Sequence, residues 1–369
     1  MYSQQDLDDA VASGVITAAA ASALRAHVEG QRSQVIADEE QFRLLTGFND
    51  IFVSIAAAIL LFAVGWIGQS IGASLGTAIE GEGPSFLAPL AVAATSWGLA
   101  LFFTAKRRMA LPSILLLLSF VIATFATAAF GIVSLFGAQT FDNNPALGGV
   151  VAAASGVIAA GAAWLHWRRF HVPITIAAGA AAISAMVVGL IVAAFGERLE
   201  GARDIILAVT LLLGIGMFLF AMWWDSSDRA RLTRRSDVAF WLHLLAAPMI
   251  IHPVFTLLGL NDGNATIGEG FIVIALYVVI GLTALAIDRR ALLVSALAYV
   301  LYALTELFKQ FGAVELNIAL TALVIGSSLL LLSAFWHQAR RAVVVRLPEE
   351  LRGKLPVIDR TATPEAQAA

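Results

Sequence analysis

Between Asp50 and Trp336 long apolar runs alternate with short polar connectors, and nothing constrains the fold of this chain more. Ten such runs cover approximately residues 50–70, 86–104, 111–136, 146–165, 172–195, 205–224, 238–260, 271–287, 291–310 and 316–336. A helix rising 1.5 Å per residue needs about 20 apolar residues to cross roughly 30 Å of hydrocarbon. In lipid every backbone N–H and C=O must be paired within the chain, which leaves only helices or closed barrels. The runs lack the period-2 alternation of barrel strands, so each is read as a helix. Composition agrees: 59% of residues are hydrophobic and 13% charged, with mean hydropathy +0.84. A soluble domain has about 45–50% apolar and about 25% charged residues. The expected fold class is all-α, a polytopic transmembrane bundle of about ten spans.

The connectors orient the bundle. Trp223-Trp224-Asp225-Ser226-Ser227-Asp228-Arg229-Ala230-Arg231-Leu232-Thr233-Arg234-Arg235-Ser236-Asp237 is a charged island between two apolar runs. Its arginines belong in the cytoplasm by the positive-inside bias. Alternate connectors then carry Lys106, Arg107 and Arg108, Arg168 and Arg169, and Arg289 and Arg290 on the same side. Arg25, Arg32 and Arg43 before the first span, and Arg340, Arg341, Arg346, Arg352, Lys354 and Arg360 after the last, join them. Of the 23 basic residues only Arg198, Arg203 and Lys309 fall elsewhere, whereas Glu80, Glu82, Asp142, Glu197, Glu200, Asp204, Asp262, Glu269 and Glu315 occupy the opposite connectors. A miscounted span would scramble this alternation. Both termini are therefore expected in the cytoplasm, and the protein in a bacterial inner membrane.

Three regions are expected: a cytoplasmic helical arm (1–46), the ten-span domain (47–337) and a cytoplasmic tail (338–369). The arm lacks a charged-then-apolar leader, so the first span is expected to stay as an anchor. Ser3-Gln4-Gln5-Asp6 has capping-box spacing, Gly14 sits where a helix would stop, and Thr17 precedes an Ala-rich helix. Leu7, Val11, Ile16 and Leu24 are candidates for one apolar seam, and a third helix is expected over 35–45. The tail is polar from Leu347-Pro348, and Ala362 to Ala369 have a disordered composition.

Two internal symmetries compete. Basic pairs at Arg107-Arg108, Arg168-Arg169, Arg234-Arg235 and Arg289-Arg290 suggest repeated two-helix hairpins, although orientation alone also puts such pairs at every inner turn. Asp50-Ile51-Phe52 and Asp204-Ile205-Ile206 suggest inverted five-helix halves. Small residues predict close crossings: Gly68, Gly72 and Gly76 in span one, and Ala152, Gly156 and Ala160 in span four. The same faces would suit a homo-oligomer. Trp97, Trp164, Trp167, Trp223, Trp224 and Trp336 lie near span ends, as an interfacial belt would.

Ionisable groups inside a membrane are functional candidates by default, because burying charge is costly. Span seven carries His243 and His252 with Pro248 and Pro253. Nine residues apart, the histidines face opposite sides of a helix and cannot share a ligand. Glu306 and Lys309 in span nine are three apart and can pair. Asp50 opens span one, where the helix dipole favours it; Asn317 and Gln69 are lesser polar candidates. Together His243, His252, Glu306, Lys309, Asp50 and Asn317 outline a candidate polar pathway. The structural alternatives are hydrogen-bonded core histidines, an interfacial ion pair and a helix cap. No cysteine is present, which removes disulfides, thiolate catalysis and Cys-ligated metals. No nucleophile elbow, phosphate loop or His-Glu-x-x-His occurs, so neither catalytic residues nor a cofactor or metal is expected. The net charge of -3 gives no reason to expect nucleic acid; the expected partner is the lipid bilayer.

Gly14-Val15-Ile16-Thr17, Asp38-Glu39-Glu40-Gln41-Phe42, Phe48-Asn49-Asp50-Ile51-Phe52-Val53 and Ser236-Asp237-Val238-Ala239-Phe240-Trp241-Leu242-His243 resemble stretches of a bacterial family of predicted multi-pass membrane proteins. The resemblance implies no activity, substrate or site. Ten spans with both ends inside also resemble the drug/metabolite transporters in topology. Two functions stay open: a permease of a small solute, or a non-catalytic scaffold or sensor that binds a partner through its N-terminal helices.

Overall fold

The computed structural model describes residues 10–24, 48–141, 144–196, 199–231, 233–260, 266–310 and 316–358. Ten apolar helices follow in chain order: α1 (Phe48–Ser74), α2 (Leu87–Phe103), α3 (Ala110–Phe136), α4 (Pro145–Phe170), α5 (Ile174–Phe195), α6 (Leu199–Ser227), α7 (Arg234–Leu257), α8 (Ile267–Ile287), α9 (Ala291–Gln310) and α10 (Asn317–Ala334). Two shorter helices close the described chain, α11 (Trp336–Val345) and α12 (Glu349–Arg352). Among the described residues there is no strand. The chain is an all-α polytopic bundle and a multi-pass membrane protein. Eight helices are long and apolar enough to cross a membrane. The other two are α2, of 17 residues, and α9, whose apolar stretch is Leu292–Thr305. Each helix lies where an apolar run predicts one, and several extend a turn further into polar sequence, because N–H and C=O groups pair regardless of side-chain polarity.

At 17 residues α2 covers only about 25 Å. The connector before it, residues 75–86, makes up the difference by folding back on α1. Gln69 holds it there: its Nε2 donates to the Gly83 carbonyl at 2.9 Å, and its Oε1 accepts the Ser85 N–H at 2.8 Å. An irregular segment beside lipid needs its backbone groups satisfied in this way.

The most extensive helix contacts join α4 to α5 and α6 to α7, followed by α2 to α3. These pairs, and α8 with α9, are the hairpins closed by the basic turns. Each of these four turns holds one non-glycine residue in the left-handed region: Arg108 (φ 53°), His171 (φ 53°), Arg231 (φ 55°) and Asp288 (φ 57°). One left-handed residue terminates a helix tightly and frees the next to return. The contacts fit both symmetries: the hairpins pack closely, and the first five helices meet the last five mainly through α5 with α6 and α7.

Glycine sets the approach of α4 and α5. A Cβ built on Gly149 would lie 2.4 Å from the backbone N of Ala193, and one on Gly189 would lie 2.6 Å from that of Ala153. A Cβ on Gly156 would meet the Ala182 carbonyl at 2.8 Å. The crossing predicted in span four is present, but its register is Gly149, Ala153 and Gly156, since α5 approaches that side. In span one Gly68 is buried against the start of α2 and Gly72 against Ser85 of the connector, while Gly76 lies beyond α1 with φ +71°.

The N-terminal residues form a separate unit. Residues 10–12 and 18–24 are helical, Gly14 takes φ +74° between them, and Thr17 Oγ1 accepts the Ala20 N–H at 3.1 Å. Gly14 and Thr17 act as their sequence positions predict. Leu24 is exposed and does not join an apolar seam; Ala21 is the buried residue instead. Ser3 to Asp6, Leu7 and the helix expected over 35–45 lie outside the described residues.

Candidate functional site

Buried Asp225, Ser236, His243 and Arg289 gather where the α6–α7 and α8–α9 turns meet. Asp225, in the last turn of α6, is fully buried. Arg289 follows the left-handed Asp288 and points inward: its Nη2 donates to Asp225 Oδ1 at 2.6 Å and its Nε to Asp225 Oδ2 at 3.2 Å. Nη2 also donates to the Ser236 carbonyl at 3.0 Å, at the start of α7. His243, fully buried on α7, brings Nε2 to 3.3 Å from Asp225 Oδ2, and Phe218 packs edge-on against its ring. Three hairpin elements therefore share one buried acid, one cation and one imidazole. Arginine's planar fork suits such two-point recognition of a carboxylate.

A second layer lies in the turns themselves. Asp288 Oδ2 accepts Arg231 Nη1 at 2.9 Å, and Oδ1 accepts the Trp336 indole N–H at 2.7 Å. Arg231 Nη2 also donates to the Ile287 and Asp288 carbonyls, at 3.1 and 3.2 Å. Arg340 Nε stands 3.7 Å from Asp288 Oδ1. Burial alone would raise the Asp288 carboxyl pKa; Arg231, Arg340, the indole hydrogen bond and Arg289 outweigh that and hold it below the usual carboxylate value. Asp228 orders the start of α7 by accepting both the N–H and the hydroxyl of Thr233, which caps the helix by accepting the Arg235 N–H.

α7 connects this cluster to the far side of the membrane. It is the most buried of the long apolar helices and packs on α5, α6 and α9. The helix runs unbroken through Pro248 and Pro253. A proline removes one N–H, so the carbonyls of Leu244 and Met249 lose their helical donors. Gly214 of α6 sits against Met249: a Cβ there would lie 2.9 Å from that carbonyl oxygen. Between the prolines His252 is exposed, and its Nδ1 lies 2.6 Å from the Tyr299 hydroxyl of α9.

Of the sequence candidates, only His243 belongs to the buried cluster. His252 lies nine residues along α7 and pairs with Tyr299. Asp50 is buried in the first turn of α1, and its carbonyl accepts the Ser54 hydroxyl at 2.7 Å. Asn317 is buried at the start of α10, where its Oδ1 accepts the Ile318 N–H at 2.8 Å. Glu306 and Lys309 belong to α9, but their side chains lie outside the described residues. Asp225, Arg231 and Arg289 figure in the sequence as orientation charges alone, and Asp288 not at all. One signal was available: acids at 225, 228 and 288 stand among basic turns where only cations are needed.

The tryptophan belt also divides. Trp164 and Trp223 are exposed, as expected at an interface. Trp336 is buried under the Arg290 guanidinium, and Trp97 packs on Phe120, His166 and Phe170. Each of these two indoles finds better partners inside the protein than at the headgroups.

Among the described residues no group of three or more His, Asp or Glu is placed to hold a metal ion. Comparison with protein-family models, curated proteins and solved structures returns no match.

Proposed function

We propose that this protein is a permease of a small solute in the inner membrane, with α7 as its working helix. The observation that carries the reading is the composition of α7's path. The helix is central, contains two prolines, and bears His243 beside Asp225 and Arg289 at one end and His252 beside Tyr299 at the other. Ionisable groups within a membrane bundle are candidates for a substrate or proton route by default, because burying charge is costly. Helices with proline-freed carbonyls recur at transport sites. Opposing cationic and anionic groups within one cluster suit a solute or proton better than a fixed ion.

The alternative is a scaffold or sensor working through its N-terminal helices. Complementation of a deletion strain separates the two. Under transport, His252→Ala abolishes rescue at normal protein level, and deletion of residues 1–30 leaves it intact. The opposite pattern identifies the scaffold.

A further inference from the structure

We propose that residues 336–358 form a detachable strap that closes the basic end of the bundle beneath the Asp225–His243–Arg289 cluster. The segment returns across both turns that build the cluster. Arg229, in the α6–α7 turn, donates from Nε to the Leu355 carbonyl at 2.8 Å and from Nη2 to the Arg352 carbonyl at 3.2 Å. The Val357 N–H donates back to the Arg229 carbonyl at 3.3 Å. Arg340 of α11 donates to the Pro356 and Val357 carbonyls at 2.7 and 3.2 Å. Trp336, at the start of α11, donates to Asp288 in the α8–α9 turn.

This attachment is reversible by construction. Beyond α11 only Leu355 and Pro356 of the strap are buried, while Glu349 to Lys354 are exposed. Leu355 joins Trp336, Val344, Leu285, Ile287 and Leu292 in one apolar cluster. Beyond α11 the segment is held mainly by hydrogen bonds between Arg229, Arg340 and its carbonyls and from the Val357 N–H, which water can replace once the strap lifts. Asp288 and Arg289 are adjacent in sequence, so the residue that anchors α11 and the residue that grips Asp225 move on one peptide. Release of Trp336 and Arg340 therefore loosens the cluster.

The strap rests on the transport reading only for its consequence, closure of the inner end of a permease; its docking can be tested whatever the protein does. The chain has no cysteine, so single cysteines report alone. In the unsubstituted chain Leu355 is 6% exposed and Leu351 is 51% exposed. Leu355→Cys and Leu351→Cys are reacted with a membrane-impermeant maleimide in inside-out vesicles. Docking predicts that the thiol at position 355 reacts at least tenfold more slowly than the thiol at position 351, yet measurably. Adding Arg229→Ala with Arg340→Ala should remove the difference. Ser236→Cys, beside the cluster, should then also react at least tenfold faster in that double-alanine background. Equal rates at 355 and 351 in the otherwise unchanged chain would overturn docking. An unchanged rate at 236 after release would overturn closure of the cluster. The first comparison needs no destabilising variant, so a poorly folding double variant does not rescue the idea.

Discussion

Arg289 grips Asp225 through both carboxylate oxygens, at 2.6 and 3.2 Å, with both side chains buried. The pair joins the end of α6 to the start of α9, and Ser236 brings in α7. Desolvating two charges costs several kcal/mol per ion, so the pair survives only because its geometry satisfies both partners. Removing one partner strands the other. Asp225→Ala and Arg289→Ala are each expected to destabilise the protein by about 3–5 kcal/mol. The double variant Asp225→Ala with Arg289→Ala should lose far less than the sum of the two single losses. Thermal unfolding in detergent, arranged as a double-mutant cycle, checks the coupling; additive losses would mean that the two residues act separately.

Asp288 predicts how attachment of the C-terminal segment depends on pH. Its carboxyl titrates below the usual value when Arg231, Arg340 and Trp336 are in place. A group whose folded pKa is depressed contributes stability that is present above its unfolded pKa of about 3.9. That contribution fades as pH falls through the folded value. Maleimide reacts with the thiolate, so its rate falls with pH at every thiol. The rate at position 355 relative to that at position 351 should therefore stay constant from about pH 8 to 5 and rise only below about pH 4. Asp288→Asn should show the raised ratio throughout. A rise in the ratio between about pH 7 and 5 would assign the control to another group.

The fold was legible in this sequence because membrane insertion writes two separate signals. Apolar length placed α1 to α10, and charge alternation paired the turns. The site was less legible. Arg289 and Arg231 satisfy the orientation rule wherever their side chains point, so the rule hides their inward role. Asp225 sits one turn from a span end, where an acid attracts no notice. That these three converge depends on which hairpins neighbour each other, and apolar periodicity is silent on that when lipid and protein interior are equally apolar. Gln69 shows the same limit: its polarity is visible, its use as a backbone anchor is not.

Two adjacent glycines make the packing of α4 and α5 testable. A methyl group on Gly149 would lie 2.4 Å from the Ala193 backbone, whereas one on Gly148 meets nothing within 4 Å. Backbone cannot yield as a side-chain tip can, so Gly149→Ala must push the helices apart. Overpacking of this kind costs about 1–3 kcal/mol. Gly148→Ala should be neutral within about 0.5 kcal/mol, as substitutions away from such features are. Comparing the two melting temperatures checks the crossing, and a matched fall in both would refute it.

The basic turns predict the orientation. Ala105→Cys, Ala230→Cys and Arg290→Cys should each react with an impermeant maleimide in inside-out vesicles and resist it in intact cells. Thr77→Cys and Gly268→Cys should do the reverse. Reaction of Ala230→Cys from outside would invert the map and move the cluster to the periplasmic face.

His171 and Asp288 share one backbone conformation and differ in what their side chains do. Their φ values are 53° and 57°, in a region that costs a residue with a Cβ about 1–2 kcal/mol. Glycine removes that strain at either position, at the expense of a more flexible unfolded chain. The His171 side chain is exposed and its ring lies against Trp167. His171→Gly is therefore expected to be neutral or to stabilise by up to about 1 kcal/mol. At Asp288 the same change deletes the acceptor for Arg231 and Trp336 and takes the acid away from the Arg231 and Arg340 cations. Hydrogen bonds to charged groups contribute about 1.5–3 kcal/mol each, so Asp288→Gly should destabilise despite the relieved backbone. Opposite signs in the two melting shifts would separate a turn that needs only a conformation from one whose side chain holds the bundle and the C-terminal segment together; losses of equal size would mean that neither side chain matters beyond the turn.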